Sequence, residues 1–356
     1  MDAKIGIFSR KWQGGWKISG ESKAQNRNSS ILNPMSEMRS FIHSQLSGKP
    51  AHEVIDLCLD HRLIADVHPA KFGSISGLEL LPNLRVFSAS QHEIGSTRGI
   101  AAAPGLQEID LNLNTLQELE ELGRLEDLMA LNLAHNELES EQLRHLPAGI
   151  RRLDLGFNLV SDLNALGRLI HLDSLTLNGN RHVQSLDGLP AQLLGLHIAQ
   201  AFVQDFSGLA ELSALRQLSL ASGSRLALAP LTSHPALETL RLTPHPATTR
   251  IDLPPLPNLH SLRILKATNV QAIHGLENLP MLKHLEITQS QLGSLPDLSG
   301  NPALESIEVK FSPVTRLDGV EKLPGLKELT LKGTGVGQAE VQRIRGLRPE
   351  LRIRVE

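Results

Sequence analysis

The sequence predicts an α/β repeat solenoid, a curved array with a parallel sheet on its concave side and mostly 3₁₀ and loop structure on its convex side. A motif of apolar residues recurs about every 22 residues through most of the 356-residue chain. The stretch LMALNLAHNEL (residues 128–138) fits neither the period of an amphipathic helix nor the strict alternation of a strand. A near-constant period of this length indicates stacked structural repeats.

The motif has the form L-x-x-L-x-L-x-x-N-x-L, and residues 106–116, 128–138 and 150–160 follow it most closely. Further copies, several of them without the Asn, extend the pattern in both directions. The copies begin at residues 54, 84, 106, 128, 150, 172, 193, 215, 237, 262, 282, 304 and 326. From residue 84 onward the spacing is 20 to 25 residues, so the sequence predicts about 13 repeats within residues 51–337.

This pattern resembles the leucine-rich repeat family, in the subclass with repeats of roughly 22 residues that includes internalins and the nuclear regulatory subunits of protein phosphatase 1. The resemblance covers residues 52–356. It implies a ladder of parallel strands, with one strand in each repeat. It implies no particular activity, because one fold can host many unrelated binding roles.

Alternation along each strand gives every repeat position a direction. Positions 4 and 6 are expected to point into the core, and positions 3, 5, 7 and 8 to point outward. Asn at position 9 is expected to satisfy backbone groups of the buried turn and to stack as a ladder. The ladder consists of Asn114, Asn136, Asn158 and Asn180. Later repeats replace this Asn, so their turns are expected to be less regular, above all in residues 223–251.

The segments between strands carry apolar residues at every third position, as in Leu116, Leu119, Leu122 and Leu125. A three-residue period suits 3₁₀ turns, which are therefore expected on the convex side. No single repeat can bury its apolar side alone, so the repeats must stack.

Both ends of such an array need caps that cover the core. Residues 31–50 are expected to form a helical N-terminal cap. Residues 338–356 are expected to form a C-terminal cap, with a helix over 338–347 and a final strand. Residues 1–30 are expected to hold an arm or hairpin, with both tryptophans around a Gly-Gly turn, and a flexible polar linker. The arm either contacts a partner or extends the cap.

Composition narrows the class of partner. The net charge is −3, but residues 106–164 carry 4 basic and 12 acidic groups, whereas residues 1–50 carry 8 basic and 3 acidic groups. An acidic flank disfavours nucleic acid, and the absence of Tyr removes a common base-stacking platform. A single cysteine and the lack of a long apolar segment predict a cytoplasmic chain that does not enter a membrane.

No pattern in the sequence argues for catalysis, so the protein is expected to be no enzyme and to need no cofactor. Gly333, Gly335 and Gly337 stand between a strand and a helix, but their spacing differs from that of a phosphate-binding loop. A zinc site could draw on Cys58 and nearby histidines, yet one thiol and irregular gaps are weak support. Those histidines are His52, His61 and His68.

The outward residues of the concave side form the expected binding surface, and their charge changes along the array. The amino-terminal part is acidic, as at Asp110 and Asp154. The carboxy-terminal part is more basic, with Lys266 at position 5 and with Lys310 and Lys332 at position 7. A basic or amphipathic element of a partner protein would suit the acidic part.

Apolar outward residues mark the centre of that surface. Leu113 and Phe157 are expected to be exposed on either side of His135, although they could instead pack on the neighbouring loop. The predicted partner-binding residues are Asp110, Leu113, Asn132, His135, Arg152, Asp154, Phe157, Asn178 and His197.

These features predict a non-enzymatic protein–protein interaction module, which acts as a regulator, adaptor, inhibitor or scaffold. The alternative is a translocated bacterial effector that binds a host protein, with residues 1–30 as its export segment. An enzyme would need its chemistry in residues 1–50, which are too short for an independent catalytic core. Neither nucleic acid nor a membrane is expected as a partner.

Overall fold

The computed structural model gives the fold of most of the chain, and the structure describes residues 34–46, 50–59, 71–222 and 227–356. The arm and linker predicted for residues 1–30 lie outside these ranges. Within them, each repeat forms one short strand, a tight turn and a return segment of 3₁₀ helices and loops. The fold is therefore a leucine-rich repeat array, as the sequence predicts.

The chain divides into two compact units. The first comprises the chain up to Leu138 together with His145–Ile150. The second comprises Glu139–Arg144 and Arg151–Glu356. Both units contain the same kind of coil, so the division does not mark a change of fold.

The first described element of the first unit is helix α1 (Pro34–Gln45), which lies where the sequence predicts a helical cap and which buries Met38 and Phe41. The ring of Phe41 lies against that of Phe72, with the ring centroids 5.7 Å apart. Four parallel strands follow among the unit's described residues, each paired with the next: β1 (Asp56–Cys58), β2 (Val86–Ser88), β3 (Glu108–Asp110) and β4 (Ala130–Asn132). The aromatic contact joins the helix to the start of this ladder.

The second unit has ten parallel strands of the same kind among its described residues. In order of pairing they are β5 (Arg152–Asp154), β6 (Ser174–Thr176), β7 (Gly195–Ala201), β8 (Gln217–Ser222), β9 (Thr239–Thr243), β11 (Ser261–Ile264), β13 (His284–Thr288), β14 (Ser306–Lys310), β15 (Glu328–Lys332) and β16 (Arg352–Val355). Two further strands, β10 (Arg250–Asp252) and β12 (Ala272–His274), pair with each other in a small separate sheet. Apart from β16, one strand of these ladders belongs to each of the 13 predicted repeats.

The core consists of the apolar residues that the motif repeats. Leu131 and Leu133, at positions 4 and 6, are fully buried, and so are Leu128 and Leu138 at positions 1 and 11. Burial of each such side chain contributes roughly 1.5–3 kcal/mol. Because each layer is covered only by its neighbours, the stacking of repeats holds the strands together.

The return segments contain 3₁₀ helices, which confirms the expectation from the three-residue apolar period. Leu119, Leu122 and Leu125 are all buried along one of these segments. The 3₁₀ helices are Ala51–Glu53, Leu78–Leu80, Ile100–Ala102, Glu120–Arg124, Ser140–His145, Asn164–Leu166, Ser207–Glu211, Ala229–Leu231, Leu276–Asn278 and Val320–Lys322. Their short length is typical, because 3₁₀ hydrogen bonds are poorly aligned in longer runs.

One repeat has a different register from the predicted one. β11 pairs with β9 so that Leu262 lies opposite Leu240, which is position 4 of its own repeat. Leu262 is therefore also position 4, and the repeat begins at Leu259. The start positions 237, 259 and 282 are then 22 and 23 residues apart. The prediction for Lys266 was wrong, because this residue is position 8 and not position 5.

The segment predicted to be least regular, residues 223–251, contributes an additional strand. Residues 223–226 lie outside the described ranges. At its far end, β10 forms a three-residue parallel ladder with β12. Isolated single bridges at comparable places are Ser96 with Glu118, Ser185 with Asp205, and Ser294 with Arg316. The described part of the segment thus contains the 3₁₀ helix Ala229–Leu231 and the start of β10.

The second unit ends with helix α2 (Gln338–Leu347) and strand β16, where the sequence predicts a helix and a final strand. Val341 and Ile344 of α2 are buried. Glu340 accepts a hydrogen bond from the backbone N–H of Leu317 at 2.8 Å, which ties the helix to a preceding repeat. Among the described residues, no helix has the length and apolar character needed to cross a membrane.

Candidate binding surface

The side chain at position 9 holds the tight turn after each strand. Asn114 donates from Nδ2 to the carbonyls of Ala89 (2.8 Å) and Leu111 (3.0 Å). Its Oδ1 accepts the backbone N–H groups of His92 and Ile94. Similar amide-to-backbone hydrogen bonds are made by Asn136, Asn158 and Asn180. All four side chains are at most 8% exposed, so they support the surface from within.

His92 takes the same place one repeat earlier, and sequence reasoning missed it. Its Nδ1 accepts the backbone N–H of Phe72 at 3.3 Å, so its Nε2 carries the proton and donates to the carbonyl of Leu59. The imidazole also stacks on the ring of Phe72, with centroids 4.4 Å apart. Counting nine positions from Leu84 would have found this buried histidine. It is a structural member of the ladder.

In most repeats position 8, directly before the ladder residue, adopts a left-handed backbone conformation. In eight repeats this residue is not glycine, and its φ lies between 51° and 64°. These residues are Gln91, Leu113, His135, Phe157, Gln200, Lys266, Gln289 and Phe311. Non-glycine residues in this region carry roughly 1–3 kcal/mol of strain. The hydrogen bonds of the turn must therefore impose the conformation, and they set where each of these side chains leaves the sheet.

The polar residues predicted at position 5 take part in the turn as well. Asp110, Asn132 and Asp154 each accept, through Oδ1, the backbone N–H of the residue two places ahead, at 2.8–3.1 Å. This arrangement is an Asx turn. Asn132 is only 7% exposed and offers little surface to a partner. Asp110 and Asp154 are half-buried, and one oxygen of each carboxylate is used by the fold.

In the first unit, the exposed residues of the predicted surface are Leu113 and His135. Leu113 is 40% exposed, and its backbone N–H donates to the carbonyl of Ala134 at 2.9 Å. Asp110 lies on β3 directly beside Asn132 of β4. This unit therefore presents a large apolar side chain and an imidazole next to polar sheet positions.

In the second unit, Phe157 is the exposed apolar residue, with 39% of its surface accessible. Its ring lies against Gly179, the position-8 residue of the next repeat, and a Cβ atom on Gly179 would be 2.5 Å from Cδ1 of the ring. The N–H of Phe157 donates to the carbonyl of Asn178, which is half-buried. Arg152 on β5 is exposed. The contact with Gly179 fixes the ring, which lowers the entropy cost of using it in binding.

Phe311 repeats this arrangement near the end of the same unit. It is 56% exposed, and a Cβ atom on Gly333 would lie 2.9 Å from its Cδ1 atom. Gly333 is the first of the three glycines, Gly333, Gly335 and Gly337, that were compared above with a phosphate-binding loop. Its place under an aromatic ring gives that glycine a packing role.

His197 on β7 is half-buried, and its Nε2 atom is buried without a hydrogen-bond partner among the described residues. Desolvation by burial lowers the pKa of this imidazole below its ordinary value of 6.5, and the positive charge of Arg241 lowers it further. His197 is therefore neutral at pH 7. It adds polar surface to the sheet without adding charge.

The basic part predicted for the end of the sheet is not a simple positive surface, because two of its three lysines, Lys310 and Lys332, are paired with carboxylates. Lys310 lies 2.7 Å from Glu308, and Lys332 lies 2.8 Å from Glu356. An exposed cation stands instead at Arg241, on β9. The distribution of charges along the sequence does not distinguish a paired lysine from an unpaired arginine.

No metal site is formed by the residues that the structure describes, since none of their His, Cys, Asp or Glu side chains gather in groups of three suited to an ion. The zinc alternative drew on Cys58 and His52, together with His61 and His68. The last two lie outside the described ranges. The described part of the chain thus adds no support to a metal role.

One solved structure supports the assignment of the fold. The chain is similar to an internalin from Listeria monocytogenes, with a TM-score of 0.54 and 22% sequence identity, over 75% of this chain and 80% of that one. A leucine-rich repeat protein from Leptospira interrogans aligns with a TM-score of 0.45 and 21% identity, over 78% of this chain and 79% of its own. No protein-family model and no curated protein matches the chain. At this level of identity, the likeness to the internalin establishes the leucine-rich repeat fold alone.

Proposed function

We propose that this protein is a non-enzymatic binding module that holds a protein partner against the outward face of its parallel sheet. The observation that carries the proposal is Phe157, an aromatic residue that is 39% exposed and is held by the backbone of Gly179. Exposed aromatic residues fixed within a polar surface are typical contact hot spots. The leucine-rich repeat fold supports such a role in general terms only.

The proposed contacts follow from exposure in each unit. In the second unit they are Arg152, Phe157 and Asn178, and in the first unit they are Leu113 and His135. The position-5 carboxylates add negative charge beside these contacts, although they also hold turns. A basic or amphipathic docking element on the partner is therefore the proposed complement.

The first test replaces Phe157 by alanine. Tagged wild-type protein captures candidates from a lysate of the source organism, and each candidate's affinity is then measured with purified components. We expect Phe157→Ala to weaken binding of the partner by more than about tenfold, as expected when a hot-spot side chain is removed. Its free energy of unfolding should fall by less than the roughly 3–5 kcal/mol that removal of a fully buried phenylalanine costs, because 39% of the residue is already exposed.

The matched control is Ile170→Ala. Ile170 is 61% exposed but lies between the 3₁₀ helix Asn164–Leu166 and β6, away from the outward sheet positions. This variant should bind the partner within about twofold of wild type. Equal affinity of wild type and Phe157→Ala, or equal losses in both variants, would exclude the proposed surface.

A further inference from the structure

A row of outward residues crosses the second unit, one from each of five neighbouring strands. The parallel pairing places His197 beside Ser219, Ser219 beside Arg241, Arg241 beside Arg263, and Arg263 beside Glu286. Neighbouring strands are about 4.8 Å apart. The two arginines in the row are thus directly opposite each other, within reach of a single ligand.

This pair of arginines is unfavourable in the protein alone, because like charges directly opposite on neighbouring strands repel each other. Arg263 is partly compensated by Glu286, at 3.5 Å. Arg241 is exposed, and no carboxylate of the described residues forms an ion pair with it. Its positive charge adds to the effect of burial in lowering the pKa of His197. The fold therefore maintains a positive charge that it does not itself neutralise.

Two exposed cations near the end of the same sheet, Arg354 and Lys332, are neutralised within the fold. Arg354 lies 3.0 Å from Glu328, and Lys332 lies 2.8 Å from Glu356. Glu328 lies on β15, next to the strand that carries Arg354. Glu356 follows the end of β16, next to the strand that carries Lys332. The comparison shows that neighbouring repeats can supply an acid to a cation, and that no repeat does so for Arg241.

The surroundings of the arginine pair also favour a negative ligand. Positions 3, 5, 7 and 8 contain no Asp or Glu in the five consecutive repeats that begin at residues 172, 193, 215, 237 and 259. Hydroxyl groups of Ser219 and Thr239 stand at outward positions beside the pair, and Lys266 adds an exposed cation at position 8. An anion placed on the Arg241 side of the pair would meet these hydrogen-bond donors and positive charge, with the Glu286 carboxylate on the far side of Arg263.

We propose that Arg241 and Arg263 form a carboxylate-binding subsite, which takes an acidic side chain of the protein partner docked on the sheet. This subsite rests on the proposed function in one respect, which is that the carboxylate belongs to a protein partner. The planar guanidinium group can hold a carboxylate through two parallel hydrogen bonds. A bound carboxylate would turn the repulsion between the two arginines into attraction toward a shared partner.

The limits of this positive region favour a short acidic segment over nucleic acid. In the same row, Asp154 stands at position 5 on one side, and Glu286 and Glu308 stand at position 5 on the other. The backbone of a nucleic acid that continued along the row would meet these carboxylates. Only about five strands, roughly 24 Å of sheet, are open to an anion.

The test uses the full-length protein and a short fluorescent peptide of alternating Glu and Ser, with a second peptide in which Gln replaces every Glu. Fluorescence anisotropy should show that wild type prefers the acidic peptide and that added salt weakens only this preference. Arg241→Gln should weaken binding of the acidic peptide by about tenfold or more. The matched control is Arg216→Gln, because Arg216 is exposed but already paired with Glu238 at 3.1 Å, and it should change binding less than about twofold.

The temperature of thermal unfolding is a second measurement, and it separates loss of the subsite from a folding defect, which would lower this temperature. Arg241→Gln should unfold at the same temperature as wild type or higher, because it removes the like-charge pair. Unchanged binding in Arg241→Gln, equal binding of both peptides, or full displacement of the peptide by an equal concentration of inorganic phosphate would overturn the subsite. The peptide assay does not require the natural partner. If the natural partner binds Phe157→Ala as tightly as wild type, the proposed function is contradicted, but the peptide-binding result for Arg241 remains valid.

Discussion

Two glycines explain how large aromatic side chains are seated on the outward surface. Gly179 has a φ of 74° and Gly333 a φ of 57°, and each lies against the ring of a phenylalanine one repeat earlier. Any other residue would bring its Cβ into that ring and would carry added strain in the left-handed region. At the scale of single residues, the exposed Phe157 and Phe311 are therefore positioned by the absence of a neighbouring side chain.

Replacing Gly179 by alanine should lower the free energy of unfolding by about 1–3 kcal/mol and displace the ring of Phe157. The new Cβ would lie 2.5 Å from Cδ1 of Phe157, at a φ of 74°. Urea unfolding followed by circular dichroism measures the loss. Gly195→Ala is the control, because its Cβ would come no nearer than 3.8 Å to the hydroxyl of Ser174. Equal losses in the two variants would contradict the role given to the ring contact.

The sequence predicts which residues at position 8 face outward, but not the backbone conformation that makes them do so. Leu, His, Phe, Gln and Lys all occupy this position, and none of them favours a positive φ by itself. Hydrogen bonds between repeats fix the turn, and a single repeat read as sequence does not contain them. The turn role of Asp154 was not predicted for the same reason, since it looks like a surface acid in the sequence and the structure shows that it also accepts the N–H of Gly156.

At the scale of elements, the strands are so short that their register depends on a few anchoring residues. In the repeat that begins at Leu259, Ala267 stands where other repeats have the ladder Asn, and Leu265 adds an apolar residue at an outward position. Both Leu259 and Leu262 then satisfy the first position of the motif. Pairing with β9, which sequence alone does not reveal, decides between them.

The C-terminal helix α2 is held by a charged contact that makes it sensitive to acid. The Glu340 carboxylate accepts the N–H of Leu317 and lies 2.8 Å from the guanidinium of Arg343. The hydrogen bond from Arg343 lowers the pKa of Glu340 from 4.5 to about 2. A carboxyl group with a lowered pKa stabilises the fold above its ordinary pKa, and this contribution is lost as the pH falls through about 2.

Glu340→Gln should therefore speed hydrogen exchange in residues 338–356 at neutral pH, because Gln keeps an acceptor for Leu317 but loses the ion pair with Arg343. In wild type, the contribution of Glu340 to protection should be lost only between about pH 4.5 and pH 2, after correction for intrinsic exchange rates. Glu350→Gln, at an exposed acid of the same segment, should have the smaller effect. Unchanged protection in Glu340→Gln would show that buried apolar residues hold the helix alone.

At the scale of the whole molecule, the leucine periodicity predicts the fold because every repeat has to bury its apolar side against a neighbour. Charge is predicted less well. Lys310 and Arg241 look equivalent in the sequence, but the first is paired with acids on its own and a neighbouring strand and the second is not. Such pairing depends on which residues become neighbours across strands, so the candidate binding surface needed the structure.

We expect two histidines, one buried and one half-buried, to contribute to the pH dependence of stability in the second unit. His234 is 4% exposed, and burial lowers its pKa from the ordinary 6.5 against the opposing hydrogen bond to the carbonyl of Leu212. Burial likewise lowers the pKa of His197, and Arg241 adds to the effect. Between the lowered pKa and 6.5, the unfolded chain binds more protons than the folded one. The contribution of both groups is therefore complete above about pH 6.5 and declines as the pH falls below it.

Urea unfolding between about pH 8 and pH 5 tests this dependence. The free energy of unfolding of wild type should decrease over this range, and His197→Gln with His234→Gln should remove part of the decrease. Glu340 does not interfere, because its lowered pKa lies below this window. Arg241→Gln should also flatten the profile, because it takes away one of the two causes that lower the pKa of His197. A double variant with the same slope as wild type would show that other groups carry the pH dependence.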